Sequence, residues 1–107
     1  MKTVYKIVRY GNWDGKHWNY KFLYHGINKS RVIPRNKWIK AERKWAGEGN
    51  NLYWTGIHCF ETIGECTDYW INKFKKNKTM KIIKLLAKGI RRKPSNKKVL
   101  LANWIRL

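Results

Sequence analysis

Thr55–Lys78, T-G-I-H-C-F-E-T-I-G-E-C-T-D-Y-W-I-N-K-F-K-K-N-K, holds the end of a strand and a capped helix in one stretch. Ile57, Cys59 and Phe60 suit a strand end. Thr62 suits a helix N-cap, and Glu65 three residues on completes a capping box. Ile63, Cys66, Tyr69, Trp70 and Phe74 recur at spacings of three and four, which predicts one apolar helix face. The charges follow the helix dipole. Glu61, Glu65 and Asp68 lie near the start, and Lys73, Lys75, Lys76 and Lys78 near the end. A helix over 62–76 with a sheet against it is expected.

Outward from this helix the chain reads mostly as strands. Lys2–Tyr10 predicts a first strand, with Val4, Val8 and Tyr10 on one face and Tyr5 and Ile7 on the other. Asp14-Gly15 is a hairpin signal. His17–Tyr24 predicts a second strand whose even positions, Trp18, Tyr20, Phe22 and Tyr24, are all aromatic. A short strand around Arg31–Ile33 would stop at Pro34. Asn36–Trp45 fits either helix or strand. Gly47–Asn51 reads as a flexible loop, and Leu52–Phe60 as a return to the sheet broken at Gly56. Lys98–Leu107 predicts a terminal strand. Thr79–Arg92 is ambiguous. Periodicity alone favours a basic amphipathic helix, although as a strand Ile83, Leu85 and Ala87 would share one face.

Three stretches together resemble small accessory proteins of bacteriophages and prophages. They are Tyr5-Lys6-Ile7-Val8-Arg9, Gly56-Ile57-His58-Cys59-Phe60-Glu61-Thr62, and a closing pair of segments ending in Ala102-Asn103-Trp104-Ile105-Arg106. The resemblance implies strands across Lys81–Arg91 and carries no established activity. With it, the expected fold is α+β: a single domain over 1–107, with a twisted, mainly antiparallel sheet of five or six strands packed on one principal helix.

Charge dominates the function classes. The chain has 107 residues and a formal net charge of +19. Residues 1–68 hold twelve basic and six acidic residues; after Asp68 thirteen basic residues follow and no acidic one. Such a surplus repels itself in a compact fold and calls for a polyanionic partner. No apolar run approaches the ~18 residues that span a bilayer. Thr79–Arg92, if helical, would suit a membrane surface, but the aromatic, sheet-like remainder argues for a folded domain, so a membrane partner is not expected. The N-terminus lacks the apolar core of a signal peptide, so a cytoplasmic location is expected.

The expected function is a small, basic, non-enzymatic nucleic-acid-binding protein. Lys81, Lys84, Lys88, Arg91, Arg92, Lys93, Lys97 and Lys98 would neutralise DNA or RNA phosphates. Trp13 and Trp38 beside Lys40 and Arg43 would add stacking. The aromatic row of strand two offers a second stacking surface, though a core face suits it better. An anti-CRISPR-like inhibitor docking on a host nucleic-acid enzyme, or competing for its nucleic acid, is the alternative. A small nuclease or transferase using His58 and nearby carboxylates is the third.

No catalytic, metal or cofactor site is assigned. His58, Cys59 and Cys66, even with His17 or His25, lack zinc-ligand spacing, because strand neighbours such as His58 and Cys59 point apart. Glu61, Glu65 and Asp68 would share a helix face and suit Mg²⁺, but a dipole-matched helix start needs the same residues. His58 with Glu61, beside Tyr53 and Thr55, has no second catalytic signal to support it.

Overall fold

The computed structural model describes residues 1–13, 15–23, 32–41, 45–48, 51–54, 56–94 and 96–107, with backbone alone for 45–48 and 51–54. In chain order the elements are β1 (Lys2–Gly11), β2 (Asn19–Lys21), β3 (Trp38–Lys40), β4 (Trp45–Glu48), β5 (Asn51–Trp54), β6 (Ile57–Phe60), α1 (Ile63–Phe74), β7 (Met80–Lys93) and β8 (Asn96–Arg106). The fold is α+β. Six strands form one antiparallel sheet, and β4 and β5 form a separate hairpin.

The sheet closes on itself. β1 pairs β7, β7 pairs β8, β8 pairs β6, and a Tyr5–Phe60 bridge returns from β6 to β1. β2 pairs with the end of β1 on the edge that carries the β6 bridge, opposite β7, and β3 extends β8. The closure depends on β7, which is long enough to pair β1 through its first half and β8 through its second.

Closure creates an inside. Val4, Val8, Ile57, Cys59, Ile83, Leu85, Ala87, Leu100, Ala102 and Ile105 fill it. Burying each large aliphatic side chain contributes roughly 1.5–3 kcal/mol. Gly56 permits the close approach of β6 to β8, since a Cβ there would lie 2.9 Å from the Ala102 carbonyl oxygen. A second cluster lies outside the ring. Cys66 of α1 packs with Ile7, Phe60 and Val99, flanked by Tyr69, Trp70, Phe74, Met80 and Ile82. Thr62 caps the helix, its Oγ1 accepting from the Glu65 amide at 3.2 Å, and Lys75 ends it in the left-handed region.

Several expectations need correction. Strand two is only Asn19–Lys21, although Val32 bridges to Lys21 beyond it. Gly47, Glu48 and Asn51 are paired in the β4–β5 ladder instead of forming a loop. Leu52–Phe60 is divided between that hairpin and the main sheet. Ile63 is 57% exposed and lies off the packed helix face. The aromatic row of strand two is graded: Phe22 is in the core, Tyr20 packs against it, and Trp18 is 59% exposed. Tyr24, His25, Arg31, Arg43 and Thr55 lie outside the described residues, as does Asp14 of the expected turn. The following Gly15 has φ +76°. No described helix is long and apolar enough to cross a membrane.

Candidate nucleic-acid interface

β7 presents a changing outer face. Met80 and Ile82 are covered by α1, whereas Lys84, Leu86 and Lys88 are exposed beyond it. Register places partners beside them on β8 and β3. Lys88 lies opposite Trp104, and Trp104 lies opposite Lys40. Leu86 lies opposite Arg106, and Arg106 lies opposite Trp38. Ala87, Ile105 and Ile39 form the intervening row and are buried. Alternation along each strand therefore turns Lys40–Trp104–Lys88 and Trp38–Arg106–Leu86 outward as two adjacent rows.

In these rows cations and indoles meet as cation–π pairs. The Lys88 ammonium lies 4.0 Å from the Trp38 ring centroid, and the Lys40 ammonium 5.7 Å from that of Trp104. Trp104 is 37% exposed and Leu86 36%. Neither row contains a carboxylate.

Gly89 sets this face. The β7–β8 register is continuous between Lys88–Trp104 and Ile90–Ala102. Yet Ala87 and Ile90 both face the core, three residues apart, as do Ala102 and Ile105. Gly89 and Asn103 lie between these pairs and reset the alternation of both strands together. Gly89 has φ +62°, and a Cβ there would sit 2.4 Å from Asn103 Nδ2. The Asn103 side chain occupies that space and accepts from Arg91 Nη1 at 2.7 Å.

The other expected binding residues are dispersed. Arg91 is engaged by Asn103. Arg92 donates to Glu61 at 2.8 Å and to the Lys97 carbonyl at 2.9 Å, while Lys2 donates to the other Glu61 oxygen at 2.7 Å. These two hydrogen bonds, first from Lys2 and then from Arg92, hold the Glu61 carboxyl below its usual range. Lys93, Lys97 and Lys98 lie at the β7–β8 turn, with Lys97 and Lys98 exposed. Lys81 lies over Tyr10 at 5.9 Å, in a separate aromatic group with Trp18 and Tyr20. Trp13 is 45% exposed under the Lys21 ammonium at 4.5 Å.

Of the expected set, Lys84, Lys88, Trp38 and Lys40 therefore come together on one face. Trp104, Arg106 and Leu86 belong to it and were not assigned from sequence. Their signal is alternation at i, i+2 in the last strand and in 84–88.

His58 is exposed and Cys59 buried on β6. Burial pushes the Cys59 thiol up to about 11 and that of Cys66 up to about 12, so both stay protonated near neutrality. Among the described residues no three His, Cys, Asp or Glu side chains form a cluster suited to a metal ion. No protein-family model matches the chain, no curated protein is significantly similar to it, and no solved structure matches its fold significantly.

Proposed function

We propose that the protein binds nucleic acid through the outer face of β3, β8 and β7. The observation that carries this reading is the interleaving of Lys40, Lys88 and Arg106 with Trp38 and Trp104 in two adjacent cross-strand rows. Cations at these positions suit phosphates and release counterions on binding. Indole planes between them suit bases. Lys84 continues the positive face toward β1, opposite Tyr5. The exposed lysines at the β7–β8 turn add long-range attraction, as does the net charge of +19.

Supporting this over an acidic protein partner is the pattern itself. An acidic surface would need the charges but not the indoles placed between them. The alternative partner is an acidic face of a host nucleic-acid enzyme, to which the net charge of +19 is equally suited. Mobility shifts of DNA and RNA oligonucleotides across a salt series test the reading. Binding at low salt that falls steeply with added salt is expected. No shift of any polynucleotide at low salt would overturn it.

A further inference from the structure

We propose that the Trp38–Trp104 face is built for unpaired bases, so that the preferred ligand is a single strand. The inference rests on the nucleic-acid reading above and names its substrate class.

The geometry fits two stacked nucleotides. Trp104 lies opposite Lys40, and Trp38 lies opposite Arg106, so the two indoles are diagonal neighbours on adjacent strands. Such positions are about 7–8 Å apart. That spacing lets each indole take its own base, and every base has a face on which to stack. In a duplex those faces are already stacked on one another, and exposing them requires unstacking. The indoles would then contribute little.

The cations are placed for a backbone running beside the bases. Lys40 and Lys88 flank Trp104 from the two neighbouring strands, and Arg106 lies between Trp38 and Leu86. Lys88 covers Trp38 with its ammonium at 4.0 Å. An incoming base displaces that ammonium, which has a phosphate within reach as its new partner. The cation–π contact therefore holds the indole in place until the ligand replaces it.

The features of a duplex groove reader are missing from α1. A helix inserted into the major groove is the usual way to read a duplex. The α1 helix commits Cys66, Tyr69, Trp70 and Phe74 to packing and carries Glu65 in its first turn and Asp68 in its second, which repel phosphates.

The test compares a 12-nucleotide oligothymidylate, a duplex of the same length and inorganic polyphosphate, at one low salt concentration, by tryptophan fluorescence and competition. The single strand is expected to bind at least tenfold more tightly than the duplex. Trp38→Ala and Trp104→Ala should each weaken single-strand binding by roughly 5- to 150-fold, the range given by one stacked base. Polyphosphate binding should change less than twofold. Trp38→Phe and Trp104→Phe should restore part of the loss, which separates stacking from misfolding. Equal or tighter binding of the duplex would overturn the single-strand inference and leave nucleic-acid binding intact. So would equal losses for oligonucleotide and polyphosphate. Binding of neither polynucleotide would overturn both.

Discussion

Lys88 on β7 reaches across β8 to hold its ammonium 4.0 Å from the Trp38 ring centroid on β3. The contact ties β7 to β3, two strands that lie far apart in sequence and are separated in the sheet by β8. It also fixes the orientation of one of the two indoles on the proposed binding face. An exposed cation–π pair contributes about 0.5–1 kcal/mol. Lys88→Ala should lower stability by that amount in chemical denaturation. It should also make Trp38 more accessible to a neutral quencher, while oligonucleotide binding weakens through the lost phosphate contact.

Gly89 is the residue on which that face depends. An alanine there would combine a left-handed backbone, φ +62°, with a Cβ 2.4 Å from Asn103 Nδ2. Gly89→Ala should cost about 2–4 kcal/mol. If the chain remains folded, affinity should fall as well, because the strain acts on the strand pair next to Lys88 and Trp104. Denaturant titration and oligonucleotide binding measure the two effects separately. Stability within 0.5 kcal/mol of wild type, a limit of the order expected for an unremarkable surface change, would contradict this account.

Lys6 lies inside the closed sheet. Its amine donates to the His58 carbonyl at 2.8 Å and lies over the Phe22 ring at 5.2 Å. Desolvation pulls it from 10.5 to about 8, against a smaller opposing influence of Cys59 and Cys66. Below about pH 8 the amine is charged in both states, and its burial costs stability. Between about 8 and 10.5 the unfolded chain binds the proton more, so stability rises with pH through this window. The raised thiols of Cys59 and Cys66 act in the opposite sense above about pH 9, so the comparison with a Lys6 mutant is confined to lower pH. Lys6→Met should be more stable than wild type at pH 7, by ~1–3 kcal/mol. That advantage should shrink by ~1 kcal/mol between pH 7.5 and 9, as the wild-type amine loses its proton.

Glu61 holds Lys2 and Arg92 at once. Both cations are thereby partly neutralised. Glu61→Gln should release Arg92 at the β7–β8 end and tighten binding of any polyanion by about 2–5-fold, the equivalent of one exposed ion pair. The change should appear equally with oligonucleotide and polyphosphate, because no stacking surface is altered. Titration of both ligands at one salt concentration checks this.

The parts of the fold that follow from local chemistry were legible in the sequence. Thr62 and Glu65 announce the helix start because a cap is a short-range hydrogen bond. Val4 and Val8 announce the inner face of β1 because that strand alternates regularly. Thr79–Arg92 was ambiguous for physical reasons. Met80 and Ile82 are covered by α1 on the outer side while Ile83 and Leu85 face the core, so both faces are apolar. The reset at Gly89 then places Ala87 and Ile90 at a helix-like spacing of three. The glycines of 47–51 read as a loop because ladder pairing is not a local property. The candidate face was half legible. Lys84, Lys88, Trp38 and Lys40 stood out by charge and aromaticity. Trp104 and Arg106 needed the β3–β8–β7 register, which no sequence period records.

The central claim is that the outer face of β3, β8 and β7, and not net charge alone, binds a single strand. The most direct measurement is the salt dependence of oligothymidylate affinity for three proteins: wild type, Lys88→Glu/Arg106→Glu, and Lys75→Glu/Lys76→Glu at the end of α1. The two double reversals change net charge equally. Lys40, Lys84, Lys88 and Arg106 each neutralising one phosphate give a wild-type slope of log affinity against log salt of about −3. The face reversal should abolish measurable binding. The helix reversal should weaken it only a few-fold and keep the slope. Equal losses from the two reversals, or a slope near zero in the wild type, would contradict the account.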